Sequence, residues 1–154
     1  MKGNGKLIGV LNNLLADELT AISQYMVHSE MCDSWGYEKL HKAIEHQAKE
    51  EMLHAESLIK RILFLEGKPL VSKLNPIKIG KTVLEIVKND EGAELDAIHA
   101  YNSAIGMAGD VADQATADLL TGILKMEEAH LEWNEVQSAL IGQIGVENYL
   151  ANQT

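Results

Sequence analysis

From about Lys6 the apolar residues Leu7, Val10, Leu11, Leu14, Leu15, Leu19 and Ile22 recur at three-and-four spacing, and nothing interrupts the rhythm before Ser34-Trp35-Gly36. That period puts them on one side of an α-helix. A second helix is predicted from about Glu38 to Leu65, where Leu40, Ile44, Ala48, Ala55, Leu58, Ile62 and Leu65 trace a buried stripe that Gly67 and Pro69 end. A third begins near Lys81 and carries Val83, Ile86, Val87, Ala97, Tyr101 and Ala104 to about Gly109, and a fourth runs from about Val111 to Ile141. Gly92, Gly106 and Gly122 fall inside these helices, each at a cost of about 1 kcal/mol against alanine. The tail from Val146 to Thr154, after Gly142 and Gly145, has room for a short fifth helix. Between the second and third helices, Gly67 to Gly80 holds two prolines and no helical period, and reads as a long connection.

Charged residues interrupt these stripes at particular places. Glu18 shares its side of the first helix with Leu11, Leu14, Leu15 and Ile22, where a carboxylate is costly unless it is paired or bound to a metal. Glu51 and His54, three apart, share a face within the second helix's stripe, and the same Glu-x-x-His spacing returns at Glu127 and His130. The return belongs to a longer repeat. A shift of 76 residues carries Glu18 onto Glu94, Tyr25 onto Tyr101, Glu51 onto Glu127 and His54 onto His130, so that eight polar positions recur in register. Glu38 and His41 form a third Glu-x-x-His that serves as a control: shifted by 76 they fall on Gln114 and Ala117, and 33 residues before Glu38 stands Gly5. That pair is expected on a solvated helix face.

Each of Glu18, Glu51, Glu94 and Glu127 lies about 14 residues from the predicted start of its helix, roughly 20 Å along the axis. All four then sit near the mid-height of a bundle. Fourteen extended residues reach roughly 45 to 50 Å, about the length of a 28-residue helix. The Gly67–Gly80 connection can therefore span the bundle and leave the second and third helices parallel. The prediction is an all-α, four-helix bundle with one long crossover, in which two hairpins are related by a pseudo-twofold axis.

Composition narrows the reading. With 154 residues, 46% of them apolar and only 5% aromatic, residues 1–154 are expected to form one helical domain with a real core. A formal charge of −10 and the absence of a basic tail disfavour nucleic acid and favour cations as partners. Cys32 stands alone, so no internal disulfide is possible, and a reducing cytoplasm is the expected location. No apolar run is long enough to cross a bilayer, so no membrane association is expected.

Two lone glutamates and two Glu-x-x-His pairs make a dinuclear site with one histidine and one terminal carboxylate per metal, the remaining carboxylates bridging. Carboxylate oxygens with some imidazole suit iron or manganese, and the lack of thiolates argues against structural zinc. Four carboxylates offset two ferrous ions. Without metal the cluster would repel itself and partly protonate, so loading should weaken as pH falls. Tyr25 and Tyr101, each seven residues beyond a lone glutamate, are expected to donate hydrogen bonds around the ligands. Trp133 reads as a packed core residue or an electron donor.

The site matches the constellation of ferritin-like carboxylate proteins, and the chain resembles the bacterioferritin family over nearly its whole length. The likeness is carried by Met1-Lys2-Gly3, Leu14-Leu15-x-x-Glu18-Leu19, Gln24-Tyr25, Arg61-Ile62-Leu63-Phe64-Leu65-Glu66-Gly67 and Asn148-Tyr149-Leu150. The resemblance implies a ferritin-like bundle with a short fifth C-terminal helix, and a ferroxidase in which Glu18, Glu51, His54, Glu94, Glu127 and His130 hold a di-iron centre. It implies oxidation of Fe(II) by oxygen or hydrogen peroxide, and mineral storage inside a hollow homo-oligomeric 24-mer of twofold dimers. A ferredoxin-type reductant for release is implied as well. Met52 matches the axial ligand to a haem b shared by two subunits; its direction, about 100° from Glu51, turns it away from the bundle interior. On the residues alone an outward methionine reads as an interface residue. His46 and Glu50 resemble an inner-surface iron site in some members. Leu58 stands where some relatives carry tyrosine, so no tyrosyl role is expected there.

A di-iron peroxidase of the rubrerythrin type is the rival reading. It normally carries a paired-cysteine iron domain, and Cys32 has no companion.

Overall fold

The computed structural model describes residues 1–154 as five helices and no strands: α1 Gly5–Ser34, α2 Glu38–Phe64, α3 Val83–Asp110, α4 Gln114–Ile144 and α5 Val146–Ala151. Three of the four long helices, α1, α3 and α4, start at a side-chain cap. Asn4 accepts from the N–H groups of Lys6 and Leu7, and Thr82 accepts from Glu85 N–H. The helices run unbroken through Gly92, Gly106 and Gly122, so tertiary packing outweighs the local cost.

The fourth helix starts three residues later than its apolar rhythm suggests and ends three residues later. Val111 and Ala112 form the turn, with Ala112 at φ +58°, and Asp113 caps the new helix by accepting from Thr116 N–H. Gly142 remains helical, and Gly145, at φ +82°, makes the break. α5 is anchored by buried Tyr149, whose hydroxyl donates to Gln137 Oε1 at 2.8 Å.

Two apolar clusters fill the bundle, one on each side of its polar middle. One gathers Leu11, Leu14 and Leu15 of α1, Leu58 and Ile62 of α2, Ala104 of α3 and Leu120 of α4. The other gathers Cys32 of α1, Leu40 and Ile44 of α2, Val83 and Ile86 of α3, and Ile141 of α4. α1 and α4 enter the first cluster before the second, whereas α2 and α3 enter the second first. The two helices of each hairpin, α1 with α2 and α3 with α4, are therefore antiparallel, and α2 and α3 run parallel, as one long crossover requires. Trp133 packs against the second cluster and Leu58 is fully buried in the first.

The crossover is held to α1 by side chains four or eight residues apart. Asn12 Oδ1 accepts from Leu70 N–H, Thr20 Oγ1 from Asn75 N–H, Gln24 Oε1 from Lys78 N–H, and His28 Nε2 from Gly80 N–H. Because His28 Nε2 accepts, its Nδ1 carries the proton and donates to Asp90 Oδ1 at 2.9 Å, which also accepts from Gln24 Nε2. His28 and Asp90 are buried. At Gly80 the chain passes so close to α3 that a Cβ would lie 2.5 Å from Ile86 N, which only glycine avoids.

Candidate metal centre

Glu18, Glu51 and Glu127 each lie 13 residues past the first residue of their helices, and Glu94 lies 11 past. With two helices running each way, that common height brings all four carboxylates together at the axis. All six predicted ligand residues are buried.

They form two groups of four that share two members. Glu18, Glu51, His54 and Glu127 place ligand atoms within 4.8 Å of one another, and so do Glu51, Glu94, Glu127 and His130. His54 Nδ1 lies 3.0 Å from Glu51, 3.4 Å from Glu127 and 3.7 Å from Glu18. His130 Nδ1 lies 2.8 Å from Glu51, 3.4 Å from Glu127 and 3.5 Å from Glu94. Glu51 and Glu127 are thus common to both groups, while Glu18 and Glu94 each belong to one. The two imidazole rings stack with centroids 6.3 Å apart.

The donor set suits a pair of divalent ions. Oε2 of Glu18 and Oε2 of Glu127 are buried and make no hydrogen bond, an arrangement that costs free energy unless a cation meets them. Burial, then the charge of Glu51, pushes Glu18 well above the usual carboxylate range, and burial does the same to Glu94. Burial also works against ionised Glu51 and Glu127, but hydrogen bonds from the histidines and the protonated glutamates hold both below that range. For His54 burial opposes the charge; the surrounding carboxylates of Glu127, Glu18 and Glu51 win and raise it to about 12, and His130 is raised the same way. The metal-free cage is then near neutral, with protons standing where cations would bind.

The two tyrosines act across the pseudo-twofold axis. Tyr25 of α1 donates to Glu94 Oε1 of α3, and Tyr101 of α3 donates to Glu18 Oε1 of α1. Glu50 Oε2 lies 2.6 Å from His130 Nε2, and its other oxygen lies 3.2 Å from Nε2 of exposed His46. His46 and Glu50 are therefore joined to the buried cage. Met52 is 48% exposed on the outside of α2, available to a group beyond the chain.

The control pair divides. Glu38 is solvated and bridges to Lys42 at 2.7 Å, but His41 is half-buried with Nδ1 2.9 Å from Ser29 Oγ, because α1 packs along that edge of α2. Helix periodicity did not single out the His28–Asp90–Gln24 network or the Asn75 contacts. A stripe of polar residues on α1 at multiples of four, Asn12, Thr20, Gln24 and His28, was the available signal. Gln47 and Asn134, one turn from Glu51 and His130, are also buried, each with a side-chain oxygen that makes no hydrogen bond.

Comparison with known proteins agrees with this geometry. The family described as Ferritin-like domain matches residues 8–153. The chain is 42% identical over 154 residues to a protein named bacterial ferritin from Synechocystis sp., covering 99% of both chains. It is 38% identical to a bacterioferritin of Rhodobacter capsulatus over 97% of this chain and 92% of the relative. It is 36% identical to a bacterioferritin of Mycobacterium leprae, over 98% and 95%. With that match over nearly its whole length and a buried cage of four glutamates and two histidines at its centre, the chain belongs to the ferritin-like family and, within it, to the bacterioferritin group.

Proposed function

We propose that this protein stores iron and is a ferroxidase, oxidising Fe(II) at a dinuclear centre inside each chain and passing the ferric product to a mineral within a hollow oligomer. The observation that carries the reading is the sharing of Glu51 and Glu127 between two four-residue groups, each completed by its own histidine and its own terminal glutamate. A pair of ferrous ions held there supplies two electrons, enough to reduce oxygen to peroxide or hydrogen peroxide to water.

The chain's own part is to hold and to exchange protons. Glu18 and His54 would serve one ion, Glu94 and His130 the other, with Glu51 and Glu127 between them. Tyr25 and Tyr101 fix the terminal carboxylates by hydrogen bonds, and Glu50 orients the far nitrogen of His130. The two apolar clusters above and below keep bulk water from the cage.

The membership supports further expectations of assembly: a 24-subunit shell of twofold dimers, and a haem b held by Met52 from each of two subunits. The half-exposed thioether fits such a role, since it faces out of the bundle and needs a second subunit to complete it. No helix is long and apolar enough to cross a membrane; we place the protein in the cytoplasm, with a ferredoxin-type reductant for iron release.

Stopped-flow oxidation of Fe(II) by wild type and Glu18→Ala tests the catalytic assignment. The variant is expected to lose the fast initial phase, and equal initial rates overturn the reading.

A further inference from the structure

Where the crossover rejoins the bundle, its last backbone donor to α1 is held by a histidine. Gly80 N–H donates to Nε2 of His28 at 2.9 Å, and Nδ1–H of His28 donates to Oδ1 of Asp90 at 2.9 Å. The same Oδ1 accepts from Gln24 at 2.8 Å. His28 and Asp90 are both buried, so no solvent stands in for a lost partner. The anchors nearer the start of the crossover are of another kind: Leu70 N–H and Asn75 N–H are held by Asn12 and Thr20, and neither acceptor takes up a proton.

One neutral form of His28 fits this place, the one with a bare Nε2. A second proton on the ring would sit on that nitrogen and point at Gly80 N–H, so two donors would face each other with no acceptor between them. Asp90 favours the arrival of that proton, because burial works against its charge and the bonds from His28 and Gln24 offset this only in part. Of the other titratable groups around the pair, α1 brings Tyr25 and Cys32 and α5 brings Tyr149. Burial pushes all three up, Cys32 and Tyr149 to about 12, so they stay neutral. α2 brings half-buried His41, which is turned to Ser29, and α4 brings apolar Ile141; Lys78 and Lys81 of the crossover are exposed.

We propose that His28 is an acid-sensitive latch on the crossover. With the ring neutral it holds Gly80 against α1; when the ring takes up a proton it lets Gly80 N–H go and forms an ion pair with Asp90, while the anchors at Asn12 and Thr20 stay closed. The opening is local and leaves the bundle folded. Its sign follows from the closed form, which binds the neutral ring: closure is complete at high pH and is lost as pH falls. Nothing in it depends on the six buried residues at the axis being metal ligands.

The test is hydrogen–deuterium exchange of the assembled protein, read residue by residue as protection factors from about pH 8 to about pH 5, the range in which histidine changes charge. Protection at Gly80 is expected to fall with acid by up to about tenfold per pH unit, the limit for uptake of one proton, while Leu70 and Asn75 keep theirs. His28→Gln keeps an acceptor for Gly80 and a donor for Asp90 but takes up no proton, so protection at Gly80 should no longer vary with pH; His41 is untouched in that variant. Asp90→Asn keeps an oxygen acceptor but removes the charge that the protonated ring pairs with, so its latch should open only at lower pH than that of wild type, and this variant decides the matter if His28→Gln does not fold. Level protection at Gly80 in wild type overturns the proposal. So does an acid loss shared equally by Leu70 and Asn75, one that persists in His28→Gln, or one that Asp90→Asn does not move.

Discussion

The Tyr25 hydroxyl donates to Glu94 in the other half of the repeat, not to Glu18 seven residues earlier in its own helix. Tyr101 repays the contact to Glu18, so each terminal carboxylate is positioned by the opposite hairpin. The two halves of the centre are therefore built only when both hairpins are docked. Tyr25→Phe and Tyr101→Phe should each weaken metal binding by about tenfold or more, measured by Co(II) titration. A large effect from one and none from the other would contradict the equivalence of the two sides.

The shared position of Glu51 and Glu127 predicts a difference in stoichiometry. Glu94→Ala removes a member of one group, whereas Glu51→Ala removes a member of both. Metal analysis should find close to one tightly held ion per chain in the first variant and almost none in the second. Equal stoichiometries would mean that Glu51 is not a bridge.

Protonation of the cage sets a pH dependence whose sign follows from the shifts. Loading must displace protons from His54 and His130 and from raised Glu18 and Glu94, so affinity should rise with pH, with close to four protons released per pair of ions. In the metal-free chain, groups with raised folded pKa values bind more protons folded than unfolded. Their contribution is complete below the unfolded values; it falls as pH rises above about 4.5 for Glu18 and Glu94 and above about 6.5 for the histidines, where unfolded histidine deprotonates while His54, raised to about 12, does not. The melting temperature of the metal-free protein should therefore fall between pH 6.5 and 9, and the gain on loading should grow. Calorimetry of both forms checks this; a gain that shrinks with pH would contradict it.

Asp90 fastens the crossover through His28 and Gln24. Asp90→Ala leaves a buried imidazole N–H and a buried amide without an acceptor, at a cost of roughly 2 to 4 kcal/mol. Amide exchange should quicken at Lys78 and Gly80, the donors to Gln24 and His28. Protection unchanged at both positions would show that the network does not hold the segment.

Crowding the crossover at its close approach to α3 gives an independent check. Gly80→Ala places a methyl against the backbone of Ile86, which cannot yield as a flexible side chain would. The variant should be destabilised by about 1 to 3 kcal/mol, read from denaturant midpoints, and an unchanged midpoint would mean the crossover shifts freely.

The sequence by itself determined the helices, the six-residue set and its common height. It also determined that the chain must cross the bundle between Gly67 and Gly80, because periodicity says which face a residue occupies and chain length says how far a segment reaches. Only the tertiary structure decided who meets whom across helices. The pairing of Tyr25 with Glu94, the sharing of Glu51 and Glu127, the junction of Glu50 with His130 and the seating of the crossover on His28 all depend on the rotation and spacing of neighbouring helices. A one-dimensional period carries no information about those quantities, since helices with the same stripe can meet at different rotations and put different atoms within hydrogen-bonding reach.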